Sequence, residues 1–504
     1  LVRADQLIAS APEDPSARPA LLLLTGDQVY VDDVSAPMLA AIQALIPTLG
    51  LHDEQLRGAS VATGTELYGH PDNHRRERLL PELKANRDLR ERFFGGVRKP
   101  VFTSDNAHRH LITLAEVSAM YLLVWSPLPW RLIDPAEPAL EARDREYYPR
   151  HKDAVDAFVK DLPAVARVLA QLPTLMIFDD HDITDDWNLT AAWEASAYGH
   201  PFSRQIIGNA LIGYLLFQGW GNNPDAFNEV LADVDRMLRQ TTPDRALAQP
   251  LHSEVIDTLL AFEHWHYTLP GSPKLVVLDT RTRRWRSESS LNKPSGLMDW
   301  EALCEFQHQL IGQDAVIVVS AAPIYGVKFI EVIQKLFTLA GKALTVDAEN
   351  WMAHKGTASV ILNIFRHYKT PPHFIILSGD VHYSFVYDVR LRFRRNSPEI
   401  TQFTCSGIKN TFPDTLIRWL DRLNQWFYST RSVLNIFTRR RNMSVHDRHP
   451  DSNDRIALLN QSAIGQMLID PDIENVRCIA LCSNGDTVEF PPELADDETP
   501  AREQ

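Results

Sequence analysis

The stretch TLMIFDDHDITDDWN, residues 174–188, runs from a short apolar segment straight into four consecutive ionisable residues, Asp179 to Asp182. An apolar segment of that length, without alternation, suits a strand covered on both faces. Acids placed directly beyond such a strand either cap the next helix or face a site. Two other stretches repeat the pattern, LLLLTGDQVYVDD (21–33) and HFIILSGDVHYS (373–384). Each has an ordinary reading when taken singly, since Gly-Asp is common in turns. In GDVH, however, two ligand types at i and i+2 share one side of an extended segment. Ligands of open α/β sheets bind just beyond the carboxyl ends of strands, so these three loops are expected to face one crevice.

Gathering Asp27, Asp180, His181, Asp185, Asp380 and His382 in one pocket is strongly unfavourable through like-charge repulsion and desolvation, unless cations neutralise them. Metal ions are therefore expected. Carboxylate oxygens with imidazole suit Fe, Mn, Zn or Ca, and two ions about 3.5 to 4 Å apart can share a bridging carboxylate.

Two more apolar runs, KLVVL (274–278) and AVIVV (315–319), alternate with helical patterns over 155–172, 204–218 and 300–312. Strands alternating with helices indicate an α/β core. The long gap after the first run reads as a mostly helical insertion over 35–165. Beyond the core runs, YDVRLRF (387–393), EITQFTC (399–405) and VRCIALCSNGDTVEF (476–490) alternate as strands, and Asn484-Gly485 signals a hairpin. The expected organisation is a core over 1–410, followed by a helix and hairpin extension over 411–504. Within that extension, 415–441 is aromatic on one side and ends in Arg439, Arg440 and Arg441. It reads as a helix packed on the domain, with peripheral membrane contact as the alternative.

With 504 residues, 44% of them hydrophobic, the chain can bury a large core. A net charge of -14 argues against general nucleic-acid binding, which depends on Lys and Arg neutralising phosphates. Cys304, Cys405, Cys478 and Cys482 form no CxxC pair or disulfide framework and read as buried small hydrophobes. No run approaches the roughly 20 apolar residues that span a bilayer, so no transmembrane helix is expected. The chain opens at Leu1 in what reads as mid-helix, so a missing N-terminus is expected and the localisation stays open.

GDQVY, DDHDITDDW and SGDVHYS resemble, in this order, signature blocks of calcineurin-like metallophosphoesterases in their PhoD-like alkaline phosphatase form. The resemblance spans 21–384. It implies a four-layer αββα sandwich and a binuclear site with iron and calcium, for which Mn, Mg or Zn could substitute. Carried over by position, Asp27 would bridge both ions, Tyr30 would ligate iron as a phenolate together with His382, and Asp380 would bind the second ion. That second ion would also take a ligand from the DDHD region, either Asp185, which stands where PhoD-like members have Asn, or Asp180. The block LDTR resembles another of the family's blocks, in which Arg281 would contact substrate phosphate; a structural pair with Asp279 is the equal alternative. Trp187 and Asn188 are candidates for the pocket lining. The family's first motif, with its metal-binding Cys, has no counterpart before Cys304. Either an upstream segment is missing, or the iron site is weakened.

The resemblance implies hydrolysis of phosphomonoesters or phosphodiesters by a water that the metals activate, with Asp27 holding the ions and His181 binding substrate and protonating the leaving oxygen. The alternative role for His181 is a hydrogen bond that orients a carboxylate. A small phosphoester is the implied partner. A catalytically silent scaffold lacking the first metal motif is the alternative from another class. A third reading is a nuclease or lipid phosphodiesterase; the acidic surface weighs against the former, and the basic end of 415–441 hints at the latter.

Overall fold

The computed structural model describes residues 1–11, 14, 17–84, 87, 107–240, 246–328, 350–391, 397–405, 422, 426, 443–451, 456–470, 473 and 475–492. It is a mixed α/β chain, and two compact units interleave along it. The first comprises 1–268, 276–306 and 333–361, and the second 269–275, 307–332 and 362–504. All five apolar runs contain strands: β1 (Leu22–Leu24), β2 (Thr174–Met176), β4 (Lys274–Val277), β5 (Ala315–Val319) and β6 (His373–Ser378). Between β2 and β4 lies β3 (Tyr267–Leu269), which has no counterpart in the sequence reading.

Most of the first unit is helical. Helices Ala36–Leu49, Leu114–Trp125 and Ala142–Gln171 start within the span read as an insertion. Thr113 caps Leu114–Trp125 through a capping box, accepting from the Glu116 N–H while the Glu116 side chain returns to the Thr113 N–H. Helix Pro201–Tyr214 is buried along most of its length, with Gln205 and Asn209 among its buried residues. Gly208 lets it approach Gln249–Leu260: an added Cβ would lie 2.5 Å from Ile256. The helix continues into a single π turn, Leu215–Gly219.

The β-structure that positions the first unit's acids is small. β1 and β2 pair in parallel, with Leu22 opposite Thr174 and Leu24 opposite Met176. Parallel pairing sends both chains out at the same end, so the loops beginning at Gly26 and Asp179 emerge side by side. The Val31 N–H donates to the His181 carbonyl at 3.1 Å, joining the two loops.

Under helix Pro201–Tyr214 lies a polar cluster around Glu54, which is 2% exposed. Its carboxylate accepts from the Leu114 N–H at 2.7 Å, from Gln205 at 2.9 Å and from Asn209 at 2.9 and 3.0 Å. Burial nevertheless pushes its pKa up to about 7 from an ordinary 4.5. A carboxyl whose pKa is higher in the folded state contributes stability below pH 4.5 that is lost as pH rises through 7, here up to about 3 kcal/mol. Urea denaturation at pH 5 and pH 8 is therefore expected to show wild type losing more stability than Glu54→Gln between the two. Equal losses would contradict it.

In the second unit, β5 and β6 are parallel, β6 and β8 (Glu399–Thr404) are parallel, and β7 (Phe385–Leu391) pairs antiparallel with both β8 and β9 (Met443–Arg448). A three-stranded antiparallel sheet follows, β10 (Ala463–Ile469), β11 (Val476–Cys482) and β12 (Thr487–Phe490). The expected hairpin joins β11 and β12, with Gly485 at φ 100°. Ile375, Val386 and Phe403 from the larger sheet form one buried cluster with Cys478, Ala480, Cys482, Val488 and Phe490 from the smaller. Two sheets thus share an apolar face in this unit, and two of the four cysteines fill it as small hydrophobes. All four are free thiols.

Strands β9 and β10 had no counterpart in the sequence reading either. The stretch 415–441 lies outside the described residues except for Arg422 and Trp426. Among the described residues no helix is long and apolar enough to cross a membrane.

Candidate metal centre

Asp27, Asp180 and His181 each offer a ligand atom within 4.8 Å of the others, with Asp180 buried and Asp27 and His181 half-buried. Asp27 sits two residues beyond Thr25 in the left-handed region, at φ 57°. Gly adopts that region freely, and Asp and Asn tolerate it better than other residues do. Asp182, fully buried, staples the two loops together. It accepts from the Asp27 N–H at 2.9 Å, the Val29 N–H at 3.1 Å and the Asp179 N–H at 3.1 Å. Gln218, carried on the π turn, donates to Asp182 at 3.1 Å. Single π turns recur at functional sites because they re-aim one side chain.

His181 is held by Asp32: Nδ1 lies 2.8 Å from Asp32 Oδ2. Tyr30 stacks on its other side, with ring centroids 4.3 Å apart, and the Tyr30 hydroxyl donates to Asp27 Oδ2 at 3.4 Å. Burial lowers the His181 pKa, but Asp32, Asp180 and Asp27 raise it more, and it ends well above the ordinary imidazole range. Asp32 was not singled out from the sequence, although it stands two residues after Tyr30 in the quoted stretch.

Of the two candidates in the DDHD region, Asp180 joins Asp27 and His181. The Asp185 side chain is not part of that group; it is the Asp185 N–H that donates to Asp32, at 2.8 Å. Arg281 is 1% exposed, and its guanidinium pairs with Asp179 and Asp180. Asp279 is not its ion-pair partner. It accepts from the Arg281 N–H at 2.8 Å and the Thr282 N–H at 2.9 Å, folding the turn that presents the guanidinium. Trp187 is 1% exposed and stands edge-on to Phe178, a core position. Asn188 is bonded inward, donating to the Arg281 carbonyl and accepting from Tyr198. Asp380 and His382 lie in the second unit directly after β6, half-buried, and both also take positive φ, 69° and 61°.

The electrostatics suit a cation. Burial lifts the Asp27 carboxyl well above its usual range; His181 opposes this, while Asp179, Asp180 and Asp182 add to it. Asp180 is raised by burial but held below its usual range by Arg281 and then His181. Burial also pushes Asp182 up to about 6. Asp27 Oδ1 is shielded from solvent and has no hydrogen-bond partner among the described residues. A buried carboxylate oxygen without a donor is costly unless a cation meets it. Two carboxylates and one imidazole fit a hard or borderline divalent ion.

No family model matches the chain, and no curated protein matches it. Among solved structures, one titled "Structure of PhoD" is similar, at 12% identity and a TM-score of 0.32, over 77% of this chain and 56% of its own length. The chain thus spans little more than half the length of that structure. At that level of likeness the case for the site rests on its own residues.

Proposed function

We propose that the chain hydrolyses phosphoesters with a metal ion held by Asp27, Asp180 and His181. The observation that carries this is Asp27 itself, a carboxylate repelled by its neighbours, with one buried oxygen that has no donor among the described residues, at the point where two strand ends converge. A divalent cation at such ligands lowers the pKa of water and offsets charge on phosphoryl oxygens. Asp32 fixes the His181 ring through Nδ1 and leaves Nε2 as the ring atom that would meet the ion, so His181 orients the site and the departing alkoxide takes its proton from water. Asp182 and Gln218 hold the Asp27 and Asp179 loops in register. By resemblance, Tyr30, Asp380 and His382 extend the ligand set, iron and calcium are the ions, and an αββα sandwich is the fold.

One observation favours a second reading. Arg281 already offsets Asp179 and Asp180, as it would in a metal-free scaffold. Turnover of bis-aryl and aryl phosphates before and after metal removal separates the two. Hydrolysis that disappears on metal removal and returns with added Mn2+ is expected; a chain without turnover in any metal would be the scaffold.

A further inference from the structure

The first unit contains a depression of about 310 Å³, within the size range of small-ligand sites, and the phosphoesterase reading makes no use of it. It opens between the segment around Arg57, the start of helix Pro201–Tyr214 and helix Gln249–Leu260. In a chain of net charge -14, its charged lining is Arg57, Arg204 and Asp257, which leaves one positive charge in excess. Arg57 is exposed and donates to Ser253 Oγ at 3.3 Å, and no carboxylate among the described residues pairs with it. Arg204 pairs through Nη2 with Asp257.

Hydrogen bonds tie down the rest of the lining. Gln205, 5% exposed, donates to the Gln55 carbonyl at 2.8 Å as well as to Glu54, and accepts from the Arg57 N–H at 3.1 Å. The ring of His252, 4% exposed, is fixed by a 2.7 Å contact between Nε2 and Asn209 Oδ1. Ile256 supplies apolar wall. A partly apolar hollow in which the Arg57 guanidinium has no carboxylate partner among the described residues and stands with the Arg204–Asp257 pair in one lining can take an organic anion, because the planar fork of Arg binds carboxylate or phosphate through paired hydrogen bonds.

We propose that this depression is a second ligand site, separate from the metal centre, that takes a small molecule bearing a carboxylate or phosphate group against Arg57 and Arg204. The full chain, freed of metal on a chelating resin so that the Asp27 centre cannot hold anions through an ion, would be titrated with inorganic phosphate by ³¹P line width. Benzoate would be tested separately by saturation-transfer NMR. Binding of at least one probe is expected, and which one binds tells phosphate from carboxylate ligands. Arg57→Gln and Arg204→Gln should each weaken it about tenfold or more, with unchanged circular dichroism because both side chains reach solvent. The site would be refuted if neither probe bound, or if binding survived in the double variant.

Discussion

Asp27→Asn is expected to lower turnover of a bis-aryl phosphate about 10³-fold or more, while leaving the metal-free chain at least as stable as wild type. The two effects have one cause. The Asp27 carboxylate is poorly placed for folding: it is lifted by burial and surrounded by Asp179, Asp180 and Asp182. Among the described residues its side chain receives one long hydrogen bond, from Tyr30 at 3.4 Å. Asn keeps the shape and tolerates left-handed backbone, so removing the charge relieves repulsion at little structural cost. A cation loses its central anionic ligand, and the stabilisation of a developing phosphoryl charge goes with it. Gain of stability with loss of function at one residue is the signature of a site maintained against folding. A drop in both quantities would mean that Asp27 is a structural residue.

The largest effect on stability is expected at Glu116→Ala, a loss of about 3 to 5 kcal/mol from breaking a fully buried ion pair. Arg76 and Glu116 are both 0% exposed and meet in a bidentate pair at 2.6 and 2.9 Å. Glu116 also accepts from the Ile112 N–H at 3.0 Å and from Gln43 at 3.2 Å. Without it, Arg76 keeps its bonds to Asn73 and the His110 carbonyl but carries an uncompensated charge in the core. The damage should reach the metal centre. His110 contacts Thr184 Oγ1 at 3.1 Å, and the Leu111 N–H donates to the Val31 carbonyl at 2.8 Å, so this cluster buttresses both site loops. Replacing the pair together, as Arg76→Met with Glu116→Leu, should cost much less, because no charge is left alone. Thermal unfolding of the single and double variants checks both statements; equal losses would contradict the second.

Much of the first unit's site was legible because local sequence encodes it. An apolar run that stops at an acid predicts a strand end, and the parallel pairing of β1 with β2 then brings Asp27 beside Asp180 and His181. The hairpin at Asn484-Gly485 was legible for the same reason, since Gly485 takes the positive φ that the turn needs. What could not be read are partnerships between distant residues. Asp32 holds His181 from 149 residues away, and Arg281 reaches Asp179 across 102. Nothing in LDTR distinguishes an arginine aimed at substrate from one aimed at a carboxylate, because the choice is made by how β4 and the DDHD loop are packed. Gln218 acts through a π turn, a register change that leaves no mark on hydrophobic periodicity. Strands β9 and β10 follow no long apolar run, and their pairing partners, rather than their own composition, make them strands.

The most direct test is the metal content of the full chain, compared with that of Asp180→Ala, after equilibration with Mn2+ and removal of unbound ion. Asp180 supplies one of the three converging ligands, so wild type is expected to retain stoichiometric metal and the variant to lose most of it. A wild-type chain that retains none, or a variant that retains as much as wild type, would contradict a cation held by Asp27, Asp180 and His181.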